Sequence, residues 1–184
     1  MPKVSEEHLQ TRRDQILAGA RRTFARHGYE GATVARLEQE IGLSRGAIFN
    51  YYRDKWALFL ALAAEDQHVF IDLLLEDGID AVIRKIADEN PDWLAVYFEL
   101  ARRMRTDPEL MQEMRDRAPD DSRRADAYLA AVREQGSVRD DVDLTTLTAF
   151  INIVTNGIAL ASSLGLRVDV DELLKLVHRG IDPE

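Results

Sequence analysis

Between Thr33 and Lys55 the chain gathers side chains that can read planar hydrogen-bonding edges or hold anions. Arg45 carries a fork of N–H donors. That fork fits the paired acceptors of a guanine edge, or a single phosphate oxygen. Asn50 and Tyr51 add polar groups suited to an adenine edge or to phosphate. Gly46 and Ala47 are small enough for close approach, and Ala47 offers a methyl contact to thymine. Ser44 precedes them, at a helix start whose backbone N–H groups favour an anion. Each residue also has a plainer reading, with Thr33 and Ser44 only capping helices and Tyr51 only packing. What favours base and phosphate chemistry is the combination within one short stretch.

The elements that would position these groups are legible beside them. Thr33 is a cap residue ahead of Val34, Leu37 and Ile41, spaced along one helix face. Gly42 breaks the pattern and Leu43 follows as an anchor. Ser44 then caps a second short helix bearing Ala47, Ile48 and Tyr51. Two short helices about a glycine turn form a helix-turn-helix, in which the second helix enters the DNA major groove.

This stretch resembles the DNA-binding segment of the TetR family of bacterial repressors. The residues that carry the resemblance are Thr33 through Glu38, Gly42-Leu43-Ser44-Arg45-Gly46, Ile48-Phe49-Asn50-Tyr51-Tyr52, Asp54-Lys55 and Leu58-Phe59. Phe49 departs from the family's usual tyrosine, which removes one hydroxyl from phosphate. Tyr52 and Trp56 depart as packing variants. The resemblance implies that Lys55 and Thr33 hold the DNA backbone from opposite sides. It also implies a homodimer released from a double-stranded operator by a small-molecule effector bound among the C-terminal helices. Residues 1–66 and Arg105-Thr106-Asp107-Pro108 look in addition like actinobacterial TetR-type repressors of the aconitase gene. That narrower likeness implies a tricarboxylate effector, with or without a divalent cation.

The formal charge of −9 runs against nucleic-acid binding until it is divided by position. Residues 1–55 hold 10 Lys/Arg against 7 Asp/Glu, a net of +3; the remainder holds 14 against 26, a net of −12. Positive charge thus stays with the helix-turn-helix. Cysteine is absent, which excludes disulfides and cysteine zinc sites. The charged N-terminus lacks the apolar centre of a signal peptide, so a cytoplasmic protein is expected.

No strand alternation or repeat is present, and the expected fold is all-helical. Its expected segments are a three-helix DNA-binding domain over 1–53 and a helical ligand-binding and dimerisation domain over 54–184. A helix from about Ser5 to His27 buries Ile16, Leu17, Ala20 and Phe24 and stops at Gly28. Asp54 opens a long helix with Leu58, Phe59, Leu62, Val69, Leu73 and Leu74 as apolar positions, broken at Asp77-Gly78. Pro91 begins another, with Trp93, Val96, Tyr97, Leu100 and Met104 inside. A long charged helix breaks near Pro119. Asp143 caps an uncharged helix over 144–166, long enough to span a membrane but too rich in Thr, Asn and Ser for that. The better reading gives it two buried faces. Leu147, Phe150, Ile151, Val154, Ile158 and Ala161 make one face and Ile153, Leu160 and Leu164 another; one can enter the subunit core and the other a partner. Asp171 is expected to cap the last helix, and two such helix pairs would form the dimer.

Polar groups set in apolar helices are the candidate effector contacts: His68, Trp93, Tyr97, Arg102, Arg103, Asn152 and Asn156. The arginines suit an anionic ligand. Asn152 and Asn156 could instead pair across the dimer, and Glu99 with Arg103 could be a plain ion pair one turn apart. Glu65 and His68 form half of a di-iron helix motif without its second copy. No cofactor, metal or catalytic residue is expected, and no enzyme. A helical ligand-binding or scaffold dimer without specific DNA readout is the alternative function.

Overall fold

The computed structural model describes residues 6–183, with the side chains of 102–104, 111, 114 and 115 outside the described set. The expected start near Ser5 and the inner position of Met104 therefore lie outside the described residues. The described chain is helical throughout: α1 Glu6–Gly31, α2 Val34–Ile41, α3 Arg45–Phe49, α4 Lys55–Ala87, α5 Pro91–Thr106, α6 Pro108–Arg117, α7 Pro119–Glu134, α8 Leu144–Ser163 and α9 Val170–Ile181.

Helix boundaries follow local chemistry. At Gly28, inside α1, φ is 68°, and the chain turns there towards α2. Thr33 accepts from the Arg36 N–H at 3.4 Å to cap α2, and Gly42 ends that helix at φ 75°. Asp54 caps α4 through the Ala57 N–H at 2.8 Å. Burial raises the Asp54 pKa, but bonds from Ala57 and Arg53 outweigh it, and the net shift is downward. Asn90 accepts from the Asp92 N–H ahead of Pro91, and Asp143 from the Thr146 N–H at 2.8 Å. The charged helix does break at Pro119, into α6 and α7. At α9 the cap is Asp169, which accepts from the Glu172 N–H, and not Asp171. Asp171 lies inside the first turn, where its charge still suits the helix dipole, and pairs with Arg84 at 2.6 Å.

Two compact units result, and they interleave along the chain. The first comprises residues 1–65 and 95–117, the second 66–94 and 118–184. Residues 95–117 join the first unit through bonds such as Trp56 Nε1 to Glu113 at 2.9 Å. Its core is aromatic: Phe59 lies 5.3 Å from both Trp56 and Tyr97, and Phe24 stacks on Tyr29 at 5.7 Å, centroid to centroid. Trp56 is thus a packing residue. The core of the second unit is aliphatic, built from Val82, Ile83, Ile86, Leu147, Ile158, Leu174, Val177 and Ile181. Val69, expected inside, is half exposed.

Two close approaches set helix spacing. A Cβ at Gly19 of α1 would lie 2.6 Å from Ile41 Cγ1 and 3.1 Å from its Cα. A Cβ at Gly180 of α9 would lie 3.1 Å from the Phe150 ring of α8. Gly19→Ala should push α2 away and lower stability by about 1–3 kcal/mol in urea unfolding. His178 gives a second test. Its pKa is raised, chiefly by the hydrogen bond to Asp182 and also by Asp80, at 2.8 Å from Nε2. A raised pKa means stabilisation fully present below about pH 6.5 and lost as pH rises through the higher folded value. His178→Gln should flatten that part of the stability–pH curve near neutrality, measured by denaturant unfolding.

Candidate nucleic-acid interface

The expected reading helix, α3, has five residues and is held from several sides. Ile48 is fully buried and anchors its inner face. Ser44 Oγ accepts from the Ala47 N–H at 3.3 Å. The Arg45 N–H donates to Glu38 Oε1 of α2 at 2.6 Å. Two of the N–H groups at this helix start are therefore already satisfied, by a carboxylate and a hydroxyl.

The outer side carries the expected set. Thr33, Ser44, Arg45, Gly46 and Asn50 are exposed; Ala47, Tyr51 and Lys55 are partly exposed. Among the described residues nothing pairs with the Arg45 guanidinium. Other arginines of this region are engaged. Arg22 and Arg26 bind Glu40 at 2.6 and 3.1 Å, Arg36 donates to the Gly31 carbonyl at 2.7 Å, and Arg53 pairs with Asp54. Tyr52 is half-buried; burial, aided by Glu65, pushes its phenol up to about 12, so it stays neutral.

Behind α3, the Tyr29 peptide is gripped at both ends. Lys55 Nζ donates to the Tyr29 carbonyl at 2.7 Å and sits 4.3 Å from the centre of its ring. Glu99 of α5 accepts from the Tyr29 N–H at 2.8 Å and the Glu30 N–H at 3.2 Å. Lys55 therefore braces the corner between α1 and α2. The alternative pairing of Glu99 with Arg103 involves a side chain outside the described residues; Glu99 does bind backbone, at N–H groups that follow the turn at Gly28. Gly19, Glu38 and Glu99 were not singled out from sequence as site-building residues. Glu38 was named there only within the resemblance, and Glu99 only as an alternative partner of Arg103.

The described candidate effector contacts each have a setting of their own within their unit. Trp93 is buried, and its Nε1 donates to Asp66 at 2.8 Å. Tyr97 packs on Phe59. His68 is exposed, with Nδ1 3.1 Å from the buried Asp121 carboxylate. Asn152 and Asn156 are exposed on α8, where Asn156 Nδ2 donates to the Asn152 carbonyl at 2.7 Å. The side chains of Arg102 and Arg103 lie outside the described residues. An open cleft of about 520 Å³ in the first unit is lined by Arg53, Asp54, Trp56, Leu110, Glu113 and neighbours, none of them in the candidate set.

The family described as bacterial regulatory proteins, tetR family, matches residues 16–62, and that of the BetI-type transcriptional repressor C-terminal domain matches 75–183. The chain is 44% identical over 160 residues to the HTH-type transcriptional repressor Rv1474c of Mycobacterium tuberculosis, covering 86% of each. It is 40% identical over 190 residues to the HTH-type transcriptional repressor AcnR of Corynebacterium diphtheriae, covering 98% of this chain and 97% of that one. In fold it resembles Salmonella enterica GusR, with a TM-score of 0.73, 19% identity and coverage of 97% and 98%. It also resembles Bacillus subtilis FadR in complex with stearoyl-CoA, with a TM-score of 0.72, 19% identity and coverage of 90% and 95%.

Glu99→Ala should speed hydrogen exchange at the Tyr29 and Glu30 amides by about tenfold or more, since each loses its side-chain acceptor. Exchange at Arg36 and Leu37, further along the same segment, should change little. Unchanged rates at residues 29 and 30 would show that the bonds carry no weight.

Proposed function

The chain belongs to the TetR family of bacterial regulatory proteins, and from that premise we propose which of its residues read and hold the operator. It is a DNA-binding transcriptional repressor. Arg45, Gly46, Ala47, Asn50 and Tyr51 meet the DNA at base edges or nearby phosphates, while Ser44 fixes the start of α3. Thr33 contacts backbone phosphate directly, and Lys55 acts by bracing Tyr29. Residues 1–53 serve as the DNA-binding segment and 54–184 as the ligand-binding and dimerisation segment. The observation that carries this reading is the exposed Arg45–Ala47 turn on a helix whose inner residue, Ile48, is buried.

Two copies of the chain pair through α8 and α9. On α8, Ile153 is 71% exposed and Leu164 just beyond it 65%; Leu176 of α9 is 59% exposed. Apolar side chains crowded on adjacent helices favour burial against a partner. By length and composition α8 is apolar enough to cross a membrane, with a mean hydropathy of 1.5 over its best window. A helical partner explains better why Leu147 and Ile158 on the same helix enter the core of the second unit and why Thr, Asn and Ser recur along it. The protein then works in the cytoplasm.

The effector is a small anion, of which a tricarboxylate is the leading class. Support comes from relatives named AcnR; Arg102 and Arg103 are the anion contacts proposed from sequence. The effector must bind the DNA-free form better, or it shifts nothing.

In fluorescence anisotropy with DNA from upstream of its own gene, the wild type should prefer that duplex over random sequence. Arg45→Ala should cost roughly 1–3 kcal/mol on the preferred duplex, about 5- to 150-fold, and leave random duplex nearly unchanged. No sequence preference in the wild type would favour the helical scaffold alternative. Ile153→Glu with Leu164→Glu should turn a dimer into a monomer in sedimentation; a dimer unaffected by both would place the interface elsewhere.

A further inference from the structure

We propose that Glu38 is a positioning residue for sequence readout, which sets where Arg45 stands before DNA arrives. This rests on the reading of α3 as the DNA-reading helix. Glu38 brackets the whole turn between α2 and α3. Its backbone carbonyl accepts from the Gly42 N–H at 2.9 Å, and its carboxylate accepts from the Arg45 N–H at 2.6 Å. Gly42, at φ 75°, reverses the chain between those two bonds.

The two acids of α2 divide its support. Glu40 faces α1 and holds Arg22 and Arg26, while Glu38 faces the start of α3. A five-residue helix makes fewer backbone bonds than the residues it must order, so it cannot fix its own first residue. Ser44 Oγ fixes Ala47 at 3.3 Å, a longer and uncharged bond. Arg45 is held by the shorter, charge-assisted one. The backbone nitrogen of Arg45 is two bonds from its Cβ, so a shift there swings the guanidinium off any fixed pair of acceptors. Readout of a base edge tolerates errors of only about 0.5 Å. Phosphate contacts are less demanding and should survive such a shift. Glu38 therefore governs the preference between sequences more than the affinity for DNA in general.

The test uses the full chain as wild type, Glu38→Ala and Glu38→Gln. The wild type first selects bound fragments from a random duplex library. Affinities for the selected site and for random duplex are then measured by anisotropy. Glu38→Ala should lose about tenfold or more on the selected site, with random duplex changed less than about twofold. Glu38→Gln, whose amide oxygen still accepts, should recover to within about threefold of the wild type. Exchange at the Arg45 amide should rise in Glu38→Ala and stay protected in Glu38→Gln. A selected-site affinity untouched by Glu38→Ala would overturn the proposal, as would parallel loss on both duplexes or a glutamine as poor as alanine. Failure of the wild type to enrich any sequence would instead overturn the assignment of α3 itself.

Discussion

A helix of five residues has no stability of its own, and this constraint shapes the whole first unit. Nucleation alone outweighs what so few backbone bonds return, so α3 exists only because its surroundings hold it. Ile48 ties it to the core, Ser44 closes one N–H and Glu38 another. Leaving the outer face of such a helix open to DNA requires that every support come from behind. The close packing of α1 on α2 at Gly19 and the bond from Gln15 Nε2 to the Ile41 carbonyl, 3.0 Å, belong to that backing.

The same logic extends to the corner at Tyr29. Gly28 turns the chain, and the peptide that follows is held by α4 through Lys55 and by α5 through Glu99. Both helices contribute residues to each compact unit. Three hydrogen bonds within the first unit thus support the chain as it enters α2.

How much of this was legible depended on the range of the interaction. Caps and turns act within four residues, so Thr33, Gly42, Ser44, Asp54, Pro119 and Asp143 could be read from local pattern. Helical stripes were legible for the same reason, as Ile16, Leu37 and Val177 show. Contacts between distant residues carry no such signature. Glu99 meets Tyr29 across 70 positions, and nothing in the composition near either announces it. Asp171 was mistaken for a cap because Asp169 and Asp171 are chemically identical; only the geometry of the Glu172 N–H separates them. The effector contacts were least legible. A polar residue in an apolar helix looks the same whether it serves a ligand or a neighbour in the fold, and the Trp93 Nε1 bond to Asp66 had no local signature.

The second unit combines an aliphatic core with an apolar surface it leaves uncovered, on α8 and just after it. The proposed dimer requires its two reading helices to meet successive major grooves, about 34 Å apart. The most direct measurement is the structure of the full protein on a duplex it has selected. The account requires α3 in the major groove, with the Arg45 guanidinium within hydrogen-bonding distance of a base edge in each half-site. A complex in which the Arg45–Ala47 turn faces solvent, or the duplex lies against another surface, would contradict it.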